Sequence, residues 1–399
     1  MKITHIHIER FRGFQNEDFE VGSLLTAIAG QNGTQKSTLL GIITQTFTLK
    51  TEDSMRVEKP LCGGSYISAF KDKFRLSPTF DKPKGHEWTI SFDAGMDDFT
   101  VESIKRTGDP NVRFWKKGAR QEGDGYISFP TIFLSLKRLV PVAEEAKIIT
   151  DDTLLTQEEL NEFKQLHNKI LIAQTPISSA TTITSKNKQS IGVSTELYDW
   201  NQNSMGQDNL GKIILALFSF KRLHDKYPRQ YKGGILAIDE MDATMYPASQ
   251  VELLKVLRKY ASKLNLQILF TTHSMSLLKA MDDLVQEVTK KEETANQAKI
   301  LYLKKVDDKI AIKQGVNFKG IQLDLNVVAE GNNRKKNRIT AYTEDKENIL
   351  FVKAILKSKA FVLDFVDVTL PCSTLMELVT KRVPAFIYPY SIVCLLYTS

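Results

Sequence analysis

Four short segments carry residue types at spacings suited to phosphate chemistry. Gly30-Gln31-Asn32-Gly33-Thr34-Gln35-Lys36-Ser37-Thr38 has the make-up of a phosphate-binding loop, in which backbone N–H groups and a helix N-terminus face an anion. Lys36 is expected to reach the β- and γ-phosphates, and Ser37 to place its hydroxyl on Mg2+. The pattern G-x-x-x-x-G-K-S/T asks for glycine before the lysine, where a sharp turn resists a Cβ, and the chain has Gln35. Ile235-Leu236-Ala237-Ile238-Asp239-Glu240 is an apolar run ending in two carboxylates. At the carboxyl edge of a sheet, Asp239 would hold the Mg2+ shell and Glu240 would polarise an attacking water. Phe270-Thr271-Thr272-His273-Ser274 ends the next apolar run in a histidine able to sense or orient a γ-phosphate. Asn203-Ser204-Met205-Gly206-Gln207 opens a long apolar helix, where serine, glycine and a helix N-terminus make a phosphate cradle or a plain N-cap.

The elements that must position these groups are read from hydrophobic pattern. Leu24 to Ala29 is an apolar strand before the loop, and Leu39-Leu40-Gly41-Ile42-Ile43 begins a helix after it. Residues 2–9 alternate as a short strand before Arg10-Phe11-Arg12-Gly13-Phe14 turns the chain. His86–Asp93, Phe99–Arg106 and Val112–Lys117 are strand-like and separated by turn signals, which predicts an antiparallel lobe over about 86–130. Its basic and aromatic residues (Arg106, Arg113, Trp115, Lys116, Lys117, Arg120) suit either nucleic acid or a solvated sheet face. Thr131–Val142 reads as a further strand. Residues 151–172 have helical spacing and lead into a Ser/Thr/Asn-rich loop ending near 190, so about 145–190 is expected to be a helical insertion, a candidate dimerisation arm. Helix 206–223, strand 234–238, helix 249–264, strand 267–271 and a helix from 274 then alternate, as in a parallel sheet covered on both faces.

In this order and spacing the four segments resemble the ATP-binding-cassette ATPases over roughly residues 1–315, closest to the branch of RecF-like and structural-maintenance (SMC) proteins. Their N-termini are similar to Ile8-Glu9-Arg10-Phe11-Arg12-Gly13-Phe14. The resemblance implies an α/β P-loop NTPase with an ABC-type head: a mixed or parallel sheet flanked by helices plus an antiparallel β lobe, spanning 1–330. It implies that Gly30, Asn32, Gly33, Thr34, Lys36, Ser37 and Thr38 bind ATP, joined by Arg12. Ser204, Gly206 and Gln207 would form the signature motif, Ser37 and Asp239 would hold Mg2+, Glu240 and His273 would be catalytic, and Asp242 would lie on the D-loop. ATP would then be sandwiched between two heads of a homodimer or higher homo-oligomer, and hydrolysis would need that assembly. Gln35 and Met205 depart from the family's glycines, which bears on turnover rather than on binding, and no Q-loop glutamine is assigned. Without sustained heptads a full structural-maintenance protein does not fit, and a transporter subunit does not fit the Arg10–Phe14 start.

The tail carries a second resemblance. Gly331–Asn337 is polar and basic, a candidate linker. In Arg338–Asp345 an acidic residue, Glu344, ends a short strand; Asn348–Leu356 reads as a helix, and Phe365–Leu370 as the next strand with Pro371–Thr374 as its loop. This is similar to the opening of a TOPRIM domain over 338–393, whose first strand ends in a metal-binding glutamate and whose later strand supplies an Asp-x-Asp pair for two-metal phosphodiester cleavage. Tyr388–Val393 resembles the approach to that strand. A head followed by TOPRIM is the layout of OLD-family nucleases and of Gabija-type and retron-linked phage-defence effectors. It implies DNA and an accessory defence protein as partners. The last six residues, Cys394–Ser399, can be encoded by the mosaic end of a transposase sequencing adapter, so a C-terminally truncated nuclease is the expectation. The alternative is a RecF-like repair or defence ATPase without its own nuclease.

Composition is compatible with all of this. A chain of 399 residues with 42% hydrophobic and 25% charged residues is globular and large enough for more than one unit. The net charge of +7 suits an anionic partner. Three scattered cysteines fit a reducing, cytoplasmic setting, and no apolar stretch is long enough for a membrane span.

Overall fold

The computed structural model describes the chain apart from residues 68–69, 94, 106–111, 120–124, 140–147, 152–153, 174, 186–188, 330–338, 367, 369, 384–385, 387–390 and 395–399. It divides into two compact units, residues 1–323 and 324–399. The proposed linker 331–337 lies outside the described residues, as do Arg106 and Arg120.

Two large sheets form the main body of the first unit. Among the described residues, the larger is six-stranded and mixed, in the order Lys309–Lys313, Ala298–Val306, Leu25–Gly30, Leu266–Thr272, Gly234–Ile238, Thr131–Leu134. All neighbours pair in parallel except the Lys309–Lys313 edge strand, which forms a hairpin with Ala298–Val306. The parallel strands are buried on both faces: every residue of Leu25–Gly30, Gly234–Ile238 and Leu266–Thr272 is buried. This is why they read as continuous apolar runs rather than as alternation. Alternate residues (Ile28, Ile235, Ala237, Leu269, Leu301) enter one core with the helix Lys36–Thr44 and the second sheet. The helices Pro247–Lys263 and Met275–Val288 pack against the same large sheet.

The second sheet is five-stranded and antiparallel, in the order Phe14–Glu20, Ile3–Phe11, Glu87–Phe92, Phe99–Lys105, Val112–Lys116. The antiparallel lobe expected over 86–130 is therefore not self-contained. Its strands complete a sheet begun by the N-terminal hairpin, with Ile6 opposite Ile90 and Ile8 opposite Trp88. Phe11 and Phe14 face each other across a two-residue turn and are both fully buried.

Two other expectations are corrected. Strand 131–142 ends at Leu134 and gives way to a 3-10 turn over Leu136–Leu139, because Arg138 folds back under the sheet edge to hydrogen-bond the carbonyls of Leu134 and Ser135. Residues 140–142 are outside the described set. The stretch 145–190 is not simply helical. Its helix, Gln157–Leu171, starts late because Thr156 and Glu159 form a reciprocal capping box. The polar segment after it forms the strands Ser179–Thr184 and Gln189–Ser194, which complete a three-stranded sheet with Ile149–Asp151 from before the helix; their β-branched residues Ile183, Ile191 and Val193 are buried.

The second unit has three parallel strands in the order Leu363–Phe365, Ile339–Thr343, Ser391–Cys394. The helix between the first two is Lys346–Leu356, capped by Asp345. The expected strand 365–370 stops at Phe365, and the expected loop Pro371–Thr374 instead starts the helix Cys372–Thr380, with Pro371 at its N-cap. Proline there gives up no helical hydrogen bond. No described helix is long and apolar enough to cross a membrane.

Candidate functional site

The phosphate loop joins strand Leu25–Gly30 to helix Lys36–Thr44. Gly30 leaves the strand at φ 152°, and a Cβ there would stand 2.5 Å from the Leu303 carbonyl oxygen and 2.8 Å from Thr34 Oγ1, so no other residue fits. Lys36 is buried, and its ammonium donates to the carbonyls of Gly30 (3.0 Å) and Gln31 (2.9 Å), which closes the loop on itself. Burial lowers the Lys36 pKa, opposed by the nearby Glu240, Asp239 and Asp242 carboxylates. Thr34 Oγ1 also donates to Gln31 O at 2.8 Å. Asn32, Gly33 and Ser37 are exposed, Thr38 partly so.

Gln35 occupies the missing glycine's position in the conformation that glycine favours, φ 61° and ψ 33°. A left-handed non-glycine residue carries a steric cost of about 1–2 kcal/mol. Its carboxamide oxygen is buried without a hydrogen-bond partner among the described residues. Gln35→Gly is expected to raise unfolding stability by about 1 kcal/mol, the backbone relief exceeding glycine's extra entropy when unfolded. Urea unfolding of the two proteins measures this, and a less stable variant would mean that the glutamine side chain's packing outweighs the strain.

The Asp-Glu segment reaches the same place from strand Gly234–Ile238. Ser37 Oγ donates to Asp239 Oδ1 at 2.8 Å, although the two residues are 202 positions apart. Thr271 Oγ1 donates to the same carboxylate oxygen at 2.7 Å and accepts from the Glu240 N–H at 2.6 Å. A serine hydroxyl beside a carboxylate suits Mg2+, which takes oxygen ligands, keeps several waters and shares the rest with substrate phosphates. Ser37 and Asp239 are the residues that would hold it, and the ion would neutralise charge on the transferred phosphoryl group.

Glu240 has a left-handed backbone, φ 50°. Among the described residues its carboxylate has no hydrogen-bond partner, which leaves it available to orient a water. His273 follows strand Leu266–Thr272 and is exposed, with its N–H on Asp242 Oδ1 at 3.4 Å. Partial burial and then Lys36 lower its pKa, against Asp242, Glu240 and Asp239.

Ser204, Gly206 and Gln207 open the helix Met205–Lys226. Ser204 Oγ accepts from the Gln207 N–H (3.3 Å), and Gln207 Oε1 accepts from the Ser204 N–H (2.8 Å), a capping box that satisfies two orphan donors. A Cβ at Gly206 would stand 2.5 Å from the Thr244 carbonyl, so this glycine lets the helix start against the turn after Glu240. Among the described hydrogen bonds none joins this helix end to Gly30–Thr38 of the same chain. Met205 is exposed at its first turn.

Arg12 lies at the edge of the loop rather than within it. Its guanidinium grips Asp81 with two hydrogen bonds (3.0 and 2.9 Å) and the Arg75 carbonyl (2.7 Å), while Nη1 stands 3.5 Å from Thr38 Oγ1. Burial alone would raise the Asp81 pKa, but hydrogen bonds from Arg12, the Ser77 N–H and His86 hold it at about 2. Of the basic residues on the antiparallel sheet, Lys117 pairs with Glu87 (2.5 Å) and Lys116 lies over the Phe99 ring. Glu344 ends strand Ile339–Thr343 in the second unit, where its Oε1 accepts from the Cys372 N–H at 3.3 Å.

Pattern reading missed Thr271, Arg138 and Asn209. Each bonds the backbone or carboxylates of the 239–245 segment. The available signals were a hydroxyl inside an apolar strand, a Lys-Arg pair just past an apolar strand and an amide one turn into a largely apolar helix.

Residues 136–278 match the family model described as AAA ATPase domain. The matched stretch contains Ser204–Gln207, Asp239, Glu240 and His273, and begins after the phosphate loop. It supports ATP binding and hydrolysis as the chemistry of this domain, with Mg2+ as the usual companion ion. Comparison with curated proteins gave no match. Among solved structures, the chain is similar to the SMC head domain from Thermotoga maritima, with 14% identity, 79% of this chain and 100% of that one covered, and a TM-score of 0.43. It is also similar to an Smc head bound to the C-winged helix domain of ScpA (14%; 81% and 100%; 0.47). A third is an Smc head with an extended coiled coil, bound to the C-terminal domain of ScpA derived from Pyrococcus furiosus (12%; 82% and 99%; 0.45).

Proposed function

We propose that the first unit is an ATP-hydrolysing head that works as a homodimer in an OLD-like, DNA-associated ATPase and nuclease of phage defence or DNA processing. The observation that carries the ATPase part is the Ser37–Asp239 hydrogen bond. It joins the end of the phosphate loop to the Asp-Glu strand, whose Asp239 also accepts from Thr271, the residue that takes the Glu240 N–H. The signature segment supports the dimer: Ser204, Gly206 and Gln207 sit at a helix N-terminus suited to an anion, yet among the described residues no hydrogen bond links them to their own chain's loop. A γ-phosphate held by a second copy fits that end.

The nuclease part draws on the second unit. Glu344 stands at the carboxyl end of the central one of three parallel strands, the edge where ligands bind in open α/β sheets. A second reading, a RecF-like ATPase without its own nuclease, draws on the Glu344 carboxylate's bond to the Cys372 N–H, a structural use of that group.

ATP turnover measured over a range of protein concentrations, with and without DNA, tests the proposal. Specific activity should rise with concentration and with DNA. A concentration-independent rate overturns the dimer, and a DNA-independent rate overturns the DNA association. Mg2+-dependent plasmid cleavage that Glu344→Gln removes supports the nuclease reading, and turnover without cleavage leaves the RecF-like one.

A further inference from the structure

Arg138 is 2% exposed, yet among the described residues its guanidinium bonds only neutral acceptors. Nε donates to Asn209 Oδ1 (2.7 Å), Nη1 to the carbonyls of Leu134 (3.2 Å) and Ser135 (3.1 Å), and Nη2 to the carbonyl of Glu240 (2.8 Å). A buried cation with no direct ion pair is costly and calls for a reason. Burial brings its pKa down to about 10, opposed by Asp239, Glu240 and Asp242, so it stays charged at neutral pH.

Its partners supply the reason. Asn209 is fully buried, and its Nδ2 donates to the Ala243 carbonyl at 2.9 Å. Glu240 is held at φ 50°, a conformation that persists in a non-glycine residue only when the surroundings over-determine it. Here Thr271 takes the Glu240 N–H and Arg138 takes its carbonyl, so both faces of that residue's backbone are fixed. Gly206, one turn before Asn209, packs on the Thr244 carbonyl. Arg138 and Asn209 therefore tie the first turns of helix Met205–Lys226 to the whole 240–244 turn.

We propose that Arg138 is a positioning residue for hydrolysis: together with Asn209 it locks the strained Glu240 backbone, aims that carboxylate, and makes the signature helix end and the catalytic turn move as one body. The inference rests on the ATPase reading above.

The test compares Arg138→Lys and Asn209→Ala with the parent protein. Lysine keeps the charge but cannot serve Asn209, Glu240 and the strand-end carbonyls from one planar fork. Asn209→Ala leaves the bond to Glu240 in place, so it is the milder change should Arg138→Lys fail to fold. In a variant that unfolds cooperatively, kcat should fall about 10- to 100-fold, the range for groups that orient a primary ligand. KM for ATP should stay within about twofold, since no ATP contact is removed. Amide exchange over residues 240–245 should quicken in either variant, a readout independent of turnover. Parental kcat and parental exchange in a folded variant overturn the positioning role alone. Turnover that survives Glu240→Gln overturns the aiming role, and a parent that binds ATP without hydrolysing it overturns the ATPase reading and this inference with it.

Discussion

Glu240→Gln is expected to lower ATP turnover by about 100-fold or more while ATP affinity stays at the parental value. The size follows from general-base and water-orienting contributions, typically ~10²–10⁴-fold. The selectivity follows from geometry. On the proposed reading the phosphates would lie on the loop and helix from Gly30 to Thr38 and Mg2+ on Ser37 and Asp239, and among the described residues the Glu240 carboxylate bonds none of these. Glutamine is isosteric and keeps the backbone bonds to Thr271 and Arg138. Steady-state hydrolysis together with equilibrium nucleotide binding measures both halves. Equal, substantial turnover in the two proteins would remove Glu240 from the chemistry. Equal, near-zero turnover with intact binding would make the head a nucleotide-binding switch, a role in keeping with Gln35 and Met205.

Phe11→Ala should destabilise the first unit by about 3–5 kcal/mol, the usual cost of removing a fully buried phenylalanine. Phe11 is 0% exposed, and its ring contacts Phe74, His86, Trp88 and Phe114 with centroids 4.6–5.7 Å apart. Little can relax into the space, because Trp88 and Phe114 are themselves buried and fixed by the antiparallel sheet. The neighbouring residue is Arg12, whose grip on Asp81 and approach to Thr38 depend on the same turn. Urea unfolding followed by tryptophan fluorescence reads the change, and a loss below about 1 kcal/mol would mean that the cluster is not a packing unit.

The Arg10–Phe14 segment thus has two origins of importance. As sequence it was a mark of family resemblance. In the fold, Phe11 and Phe14 are core anchors while Arg12 is a surface clamp at the edge of the phosphate loop. Those roles differ because Phe11 and Phe14 are cross-strand partners whose rings enter the core, while Arg12 lies in the turn between them in a left-handed backbone conformation (φ 51°).

The chain's local pattern determined a good deal by itself. The phosphate loop, the Asp-Glu strand, the strand ending before His273 and the Ser204-capped helix all stand where hydrophobic runs and polar stops put them, within a few residues. These are features of short range: a doubly buried strand is a continuous apolar run, and a capping box is a four-residue signature. What tertiary structure alone decided is long-range or three-dimensional. It paired Ile3–Phe11 with Glu87–Phe92, turned a polar segment into a sheet on the strength of Ile183, Ile191 and Val193, and ended strand 131–134 so that Arg138 could reach Glu240. It also put Gln35 and Glu240 in left-handed backbone conformations that their side chains do not announce. Pairing register and backbone strain are settled by contacts between distant segments, and no window of neighbouring residues contains them.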